Sequence, residues 1–447
     1  MKLLFIFAAM AFWLNVHGQT LERKAWLGIS SEPYKENGIV GLRIKKVLGG
    51  TAAELKLLEG DIILELDGAK VSDLASILSV TKSKVQGNPV KAIVFRAGKK
   101  LVLQGKYLGQ SFETHDSTDV IYDQVSYKGG QLRVIINKPR KQEKMPAMLF
   151  IPGYTCSSID NLQPNHPYKR IIDAFANAGY VTLRVEKSGL GDSRNTPECE
   201  SCDLYDEIEN FEAGLHKLKT LPYVDTSKII IYGHSMGGIV APALSGKNQV
   251  AGVIVYGTSA KSWFEYVIEM NRLQNMLAGM EPLAHEKSVV EQYELIYRFY
   301  IKKESLEDIA STPKADSILR ASWEYNGKGK IYSRNAEYWR QIQDIPNLES
   351  WKNTTAKVLI QFGESDFQAF SRTDHEQIVR TVNFYHPQNA TLMTYPQTDH
   401  YFAKSGTMQE AFDKFVNRKI IQLFNEYNFD VGNSAVQWSN QVVGAQQ

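Results

Sequence analysis

The 447-residue chain lacks several features that would assign a protein to a functional class at once. Its 51 basic residues nearly balance its 49 acidic ones, so the electrostatic footprint of a nucleic-acid-binding protein is missing. The chain has no repeats and no low-complexity tracts, and beyond residue 18 no run is apolar enough to span a membrane. We therefore expect neither a nucleic-acid partner nor a transmembrane segment.

Cysteine is scarce as well: the chain has three, so at least one must be unpaired within it. Cys199 and Cys202 form a Cys-X-X-Cys motif, which in an oxidising compartment most simply belongs to a disulfide. Pairing of either with Cys156 is as plausible as pairing with each other, and a redox-active dithiol is the remaining alternative. Zinc would need two further ligands, and none has the required spacing, so no metal site is expected.

Residues 1–18 are typical of a signal peptide. Lys2 precedes an almost wholly apolar run from Leu3 to Leu14, and the small residue Gly18 stands at the expected cleavage point. The run is too short to cross a bilayer as a mature helix. No cysteine follows the cleavage point directly, which argues against a lipid anchor. The mature protein is expected to be exported, either secreted or periplasmic.

A Gly-X-Ser-X-Gly motif at residues 233–237 carries the main chemical signal of the chain. The β-branched run at 228–232 predicts a buried parallel strand before it, and the small apolar residues after it predict a helix. Its glycines permit the tight strand-to-helix turn that lifts Ser235 above the sheet. The N-terminus of the helix would favour developing negative charge. Ser235 is therefore the predicted nucleophile.

A serine nucleophile needs an acid and a base, and candidates follow in the order serine, acid, histidine. Asp366 stands after the apolar run 357–362 and a turn glycine, as expected of a carboxylate at a strand end. Glu364 is the rival, but the Gly-X-X-Asp spacing favours Asp366. His400 is the single histidine in the loop after the next strand-like run, so it is the predicted base.

Two backbone N–H groups aimed at the developing oxyanion are also required, each worth about 3 kcal/mol. The N–H of Met236, directly after the nucleophile, is the first expected donor. The second is expected from the loop at 152–155, after the strand-like run 147–151, and we predict the N–H of Tyr154. The side chains of His234 and Tyr154 are expected to contribute no chemistry.

Together these motifs resemble those of the α/β-hydrolase family over roughly residues 113–430. The segment 183–193, with its Lys-Ser-Gly-Leu-Gly-Asp-Ser turn, is similar to a subgroup of secreted or envelope esterases and serine aminopeptidase-like hydrolases. One departure is that the oxyanion loop begins Pro152-Gly153, where the family usually has His-Gly. The resemblance implies an α/β fold, a mostly parallel sheet flanked by helices.

The stretch at about 258–350 has helical periodicity and many aromatic residues, which predicts a cap inserted over Ser235. Aromatic residues at helical spacing usually serve packing, so more of them are expected in the cap core than in contact with substrate. The arginines of this stretch are expected to be solvated or paired rather than to hold substrate.

Residues 25–107 alternate short strands with turns and a helix at about 73–85. The segment 58–63 with Asp67-Gly68 is the most specific part of a pattern that resembles a PDZ domain with the strand order of bacterial envelope proteases. The resemblance implies that the Leu27-Gly28-Ile29 loop holds a peptide C-terminal carboxylate through its backbone N–H groups. A spacer role without peptide binding is the alternative.

The expected reaction is acyl transfer to water by a serine hydrolase without a cofactor. An enclosed aromatic cap favours a carboxylesterase with a small-molecule ester substrate, whereas a PDZ-like domain that delivers peptide ends favours a peptidase or aminopeptidase. A binding or scaffold protein with an inactive hydrolase fold is the third interpretation. The polar residues 432–447 are expected to form a loose tail.

Overall fold

A computed structural model of the protein describes residues 21–444, so the predicted signal peptide lies outside the described residues. The chain forms a small β-rich domain and then a larger α/β domain. Within the described range, no helix is both long and apolar enough to cross a bilayer.

The first domain is an antiparallel sheet with two short helices. Its elements are β1 Ile29–Glu36, β2 Ile39–Val47, α1 Gly50–Glu54, β3 Ile62–Leu66, β4 Ala69–Lys70, α2 Leu74–Thr81, β5 Pro89–Arg96 and β6 Lys99–Lys106. The strands follow the order β1-β2-β3-β5-β6, with β4 paired to β3, so β1 is an edge strand. Alternating apolar residues such as Leu42, Ile63 and Val94 form its core.

The second domain is built on an eight-stranded sheet with an inserted cap. Before the cap lie β7 Thr118–Tyr127, β8 Gly130–Pro139, β9 Met145–Ile151, α3 Pro167–Asn177, β10 Val181–Val185, α4 Leu204–Thr220, β11 Val224–His234, α5 Gly237–Ser245 and β12 Gly252–Tyr256. The cap contains α6 Trp263–Leu277, α7 Pro282–Tyr300, α8 Leu306–Ile309, α9 Pro313–Ser322, β13 Lys330–Ile331, β14 Arg334–Asn335, α10 Ala336–Asp344 and α11 Asn347–Asn353. After it come β15 Lys357–Gly363, α12 Arg372–Tyr385, β16 Ala390–Tyr395, α13 Met408–Val416, α14 Ile420–Asn425 and α15 Phe429–Val443.

The strand order of this sheet is β16-β15-β12-β11-β9-β10-β8-β7. The first six of these strands run parallel, β8 pairs antiparallel with β10, and β7 pairs antiparallel with β8. Because helices cover both faces, the parallel strands read as continuous apolar runs rather than alternating ones. Leu149 and Ile231 face the side of α4 and α5, whereas Phe150 and Tyr232 face the side of α3 and α15.

The prediction of a loose tail at 432–447 is wrong over its described part. Residues up to Val443 form α15, which buries Val431, Ala435 and Trp438 against the α3 face of the sheet. Their spacing of four and three residues is helical, but the Asn-, Ser- and Gln-rich composition concealed it. Residues 445–447 lie outside the described range.

A buried charge network joins the segment before β1 to the second domain. Arg23 Nη1 lies 2.5 Å from Asp160 Oδ2 and 2.7 Å from Asp192 Oδ2. Arg133 Nε also approaches Asp192 Oδ2, at 3.1 Å. The side chains of all four residues are at most 7% exposed, so removing one partner would leave a buried charge uncompensated.

Candidate active site

The predicted site residues lie at the carboxyl ends of parallel strands. Ser235 directly follows β11, Asp366 follows β15, His400 follows β16, and Tyr154 lies in the loop after β9. The carboxyl ends of parallel strands share one edge of the sheet, which is where open α/β folds place their ligands. The fold therefore gathers these four residues at one edge.

Ser235 sits on a sharp turn that requires its flanking glycines. Its φ of 55° lies in the left-handed region, which a serine adopts only under constraint. A Cβ at Gly233 would lie 2.2 Å from the Gly237 carbonyl oxygen, and a Cβ at Gly237 would lie 2.3 Å from the Ile151 oxygen. The Ser235 N–H donates to the Tyr256 oxygen at 3.0 Å, which anchors the turn. No larger residue fits at either glycine without moving the backbone.

Asp366 and His400 form a buried pair. His400 Nδ1–H donates to Asp366 Oδ2 at 2.8 Å, and Asp366 Oδ1 accepts the N–H groups of Gln368 at 2.8 Å and Ala369 at 2.7 Å. Burial alone would raise the pKa of Asp366, but the His400 ring and these donors outweigh it and hold that pKa below its usual value. The rival Glu364 is exposed and lies 3.8 Å from Arg372. Asp366 is thus held ionised behind the histidine.

Ser235 and His400 line one small cavity of about 30 Å³. Because Nδ1 of His400 is committed to Asp366, its Nε2 is the ring atom left for a proton from Ser235. Ser235 Oγ makes no hydrogen bond to any described residue, and such catalytic bonds commonly tighten only when substrate binds. Of the cap aromatic residues, Trp263 and Tyr266 line this cavity, while others such as Trp323 are cap core.

The two predicted oxyanion donors are available. Within residues 21–444, neither the Met236 N–H nor the Tyr154 N–H donates a hydrogen bond. Met236 precedes α5, so its N–H is one of the donors that a helix start leaves unpaired. The loop of Tyr154 adjoins the nucleophile, since a Cβ at Gly153 would lie 3.6 Å from Ser235 Oγ. Both donors belong to segments in contact with Ser235.

A hydrogen-bond chain that the sequence analysis missed links the oxyanion loop to the histidine loop. The Gly153 N–H donates to Tyr168 Oη at 3.2 Å, and Tyr168 Oη lies 2.9 Å from His234 Nδ1. His234 Nε2 lies 2.9 Å from the His400 carbonyl oxygen, which can only accept. Nε2 of His234 therefore carries the proton, and Nδ1 accepts from Tyr168. Burial lowers the pKa of His234 to about 3, which keeps the ring neutral.

The three cysteines resolve into one of the pairings that the sequence left open. Cys156 and Cys199 form a disulfide that closes a sequence separation of 43 residues, and Cys202 is a buried free thiol. Because Cys156 follows Tyr154 by two residues, the disulfide ties the oxyanion loop to the short 3₁₀ turn Cys199–Ser201. Among the described residues, no group of three histidine, cysteine or acidic side chains could hold a metal ion.

The predicted carboxylate loop of the first domain has the backbone that such a role needs. In the described chain the N–H groups of Leu27 and Gly28 donate to no partner, and Ile29 opens the edge strand β1. Gly28 has a φ of 75°, and a Cβ there would lie 2.1 Å from the Gly49 oxygen. α2 packs beside β1 and exposes two leucines one turn apart, Leu74 and Leu78.

Comparison with known families agrees with this architecture. A family model described as serine aminopeptidase, S33 matches residues 165–401, a span that contains Ser235, Asp366 and His400. A model described as PDZ domain matches residues 19–91.

Two curated relatives are esterases by name. Esterase FrsA of Photorhabdus laumondii is 24% identical over 156 residues, covering 34% of this chain and 35% of that protein. Esterase EstD of Thermotoga maritima is 20% identical over 293 residues, covering 65% of this chain and 60% of that protein. The chain thus spans less than two thirds of the length of either relative. The solved structure of Est1E from Butyrivibrio proteoclasticus is 17% identical with a TM-score of 0.41, covering 68% of this chain and 99% of that one.

Proposed function

The chain belongs to the serine aminopeptidase S33 family of α/β-hydrolases, and from that premise we propose that it hydrolyses esters of short carboxylic acids through an acyl-enzyme on Ser235. The observation that carries this proposal is the convergence of Ser235 and the Asp366–His400 pair on one small cavity. The esterase names of the two relatives support esters as substrates, whereas the name of the family keeps a peptidase as the alternative.

The reaction proceeds in two acyl transfers. Ser235 Oγ attacks the ester carbonyl carbon while His400 Nε2 takes the hydroxyl proton, and the carbonyl electron pair moves onto oxygen. The N–H groups of Met236 and Tyr154 donate to that oxyanion. Collapse of the intermediate expels the alcohol, which receives the proton from His400. Water then repeats the sequence on the acyl-serine, and Asp366 stabilises the imidazolium in both halves.

The cavity supports a short acyl group. Its volume of about 30 Å³ is only two to three times the ~10–15 Å³ that one water molecule needs. Trp263 and Tyr266 from the cap bound it, and their rings stack at 4.4 Å between centroids. A long acyl chain would have to displace this pair, so turnover should fall as the chain lengthens.

A substrate panel tests the proposal. Purified mature protein is assayed with p-nitrophenyl acetate, butanoate, octanoate and dodecanoate, beside alanine and leucine p-nitroanilides, with Ser235→Ala as the blank. The expected result is highest kcat/KM for acetate or butanoate and anilide turnover lower by at least about 100-fold, or about 2.7 kcal/mol in barrier. Anilide rates equal to ester rates would replace the esterase proposal with a peptidase.

We also propose that the PDZ domain binds peptide C-termini. The support is that the Leu27 and Gly28 N–H groups, beside the edge strand β1, donate to no residue within 21–444. Fluorescent decapeptides ending in free-carboxylate Val, Leu or Phe are titrated with the full chain, with C-terminal amides as matched controls. Binding of an acid but not its amide is expected. Equal affinity for the acid and the amide, or no binding of either peptide, would indicate that the domain is a spacer.

We infer that the protein is exported. The signal-peptide pattern of residues 1–18 is one support, and the Cys156–Cys199 disulfide is another, because disulfides persist in oxidising compartments. Expression of the whole chain in a Gram-negative host followed by N-terminal sequencing checks this. A mature chain that begins just after Gly18 is expected, and a retained Met1 in the cytoplasmic fraction would contradict it.

A further inference from the structure

We propose that a buried cluster of Lys187, Glu207 and Arg334 positions the Tyr154 N–H to receive the oxyanion. The proposal rests on the ester hydrolysis proposed above. It assigns a positioning role to three side chains that take no part in the proposed reaction steps. Lys187 opens the Lys-Ser-Gly-Leu-Gly-Asp-Ser turn, which was assigned no chemical role, and Glu207 and Arg334 belong to none of the motifs that pointed to the active site.

The cluster holds the carbonyl groups of Gly153 and Tyr154 in the oxyanion loop. Lys187 Nζ lies 2.6 Å from the Gly153 oxygen and 3.0 Å from Glu207 Oε1. Arg334 Nη1 lies 2.7 Å from the Tyr154 oxygen and 2.8 Å from Glu207 Oε2. Glu207 thus fixes the two cations, and each cation fixes one carbonyl.

Most of the backbone polar groups of Gly153 and Tyr154 have a hydrogen-bond partner. The Gly153 N–H already donates to Tyr168 Oη, so three of the four backbone polar groups of Gly153 and Tyr154 are held. The fourth, the Tyr154 N–H, has no partner in the described chain. The peptide bond between the two residues is trans, so this N–H points away from the carbonyl that Lys187 holds. A flip of the peptide would break the bond from Lys187.

Burying the three charged side chains of the cluster costs free energy, so their burial calls for an explanation. The side chains of Lys187, Glu207 and Arg334 are at most 4% exposed, and together they carry one net positive charge. Burial lowers the pKa of Lys187 to about 8, against the opposing effect of Glu207. Buried ion pairs often stabilise a protein no better than apolar residues of similar size. A net positive charge beside the oxyanion loop, by contrast, favours a transition state that develops negative charge.

The cluster also joins three separate parts of the fold. Lys187 follows β10, Glu207 lies on α4, and Arg334 lies on β14 of the cap. Tyr338 of the cap packs its ring 3.8 Å from the Arg334 guanidinium. The cap therefore contacts the oxyanion loop through Arg334, in addition to covering the cavity.

Kinetics of Lys187→Met and Arg334→Met test the proposal. Each variant frees one carbonyl of the loop, so kcat for p-nitrophenyl acetate should fall about 100-fold, as when an oxyanion donor is lost, with KM changed less than about threefold. Lys187→Arg and Arg334→Lys keep a cation and disturb folding less, and they should lose about tenfold or less. The matched control is Arg184→Met, which breaks another buried ion pair, with Glu113 at 2.5 Å, and removes no bond to Gly153 or Tyr154.

Arg184→Met is expected to lower stability as much as the cluster variants while keeping kcat. Full kcat in folded Lys187 and Arg334 variants would overturn the proposal, and so would a loss of kcat in Arg184→Met equal to theirs. Wild-type turnover above the Ser235→Ala blank is measured first. No such turnover would reject the proposed hydrolysis itself, whereas turnover that the cluster variants retain rejects only the positioning role.

Discussion

Asp366, the proposed acid, is the residue whose replacement separates the orientation of His400 from the nucleophilicity of Ser235. Asp366→Asn should lower kcat for p-nitrophenyl acetate about 10⁴-fold, because an amide can neither hold the His400 Nδ1–H tautomer nor stabilise the imidazolium. Glu364→Gln, the matched change at the exposed rival, should leave kcat within about twofold. Loss of activity in Glu364→Gln with activity kept in Asp366→Asn would reverse the assignment.

Tyr168 links the two loops that flank the nucleophile through a single hydroxyl. Tyr168→Phe leaves the Gly153 N–H and His234 Nδ1 without that partner, so we expect a stability loss of about 1–3 kcal/mol and a kcat about tenfold lower. Urea unfolding and steady-state kinetics measure both. Tyr180→Phe is the control, because it removes a hydroxyl bonded to Asn440 at 2.9 Å, remote from the site. Equal kcat losses in the two variants would contradict a role for the chain through His234.

Single residues also mark the limit of what the sequence could reveal. Ser235, Asp366 and His400 were predictable because each stands beside a local signal, either a glycine motif or the end of an apolar run. Lys187 stands in a glycine-containing turn after a strand, but nothing local indicates its partners, and Glu207 has no local signal at all. Their roles arise only when separate strands, helices and the cap meet. His234 was assigned no role, although its place inside the motif gave it contact with both loops.

The helix α15 was predicted to be a loose tail because its composition is polar, although the spacing of its apolar residues is helical. It covers one face of the sheet, so Trp438→Ala should lower the free energy of unfolding by about 3–5 kcal/mol. Gln437→Ala, one position earlier on the exposed side, should change it by less than about 0.5 kcal/mol. Equal effects in urea unfolding would mean that α15 does not pack as described.

The parallel strands of the sheet followed from the sequence more readily than the cap did. Parallel strands buried on both faces leave continuous apolar runs that a reader can locate. The cap is held by aromatic contacts such as that between Phe299 and Trp323, at 5.6 Å, and its sequence period does not distinguish core from cavity lining. Only the structure singles out Trp263 and Tyr266 for the cavity.

In the whole molecule, we expect the buried network of Arg23, Asp160 and Asp192 to make the two domains unfold as one cooperative unit. Arg23→Ala should cost about 3–5 kcal/mol, because it leaves two buried carboxylates short of a partner. Calorimetry should show one transition for the wild type and two for the variant. Arg43→Ala, which removes an exposed ion pair with Glu32 at 3.7 Å, should keep the single transition. A single unshifted transition in Arg23→Ala would show that the network does not couple the domains.

Acylation of Ser235 is the event on which the proposed hydrolysis depends, and a fluorophosphonate captures it without turnover. We expect intact-protein mass spectrometry of the wild type to show one phosphonyl group, mapped by peptide digestion to Ser235, and Ser235→Ala to show none at the same exposure. An unlabelled wild-type protein, or equal labelling of the Ser235→Ala variant, would contradict Ser235 as the nucleophile.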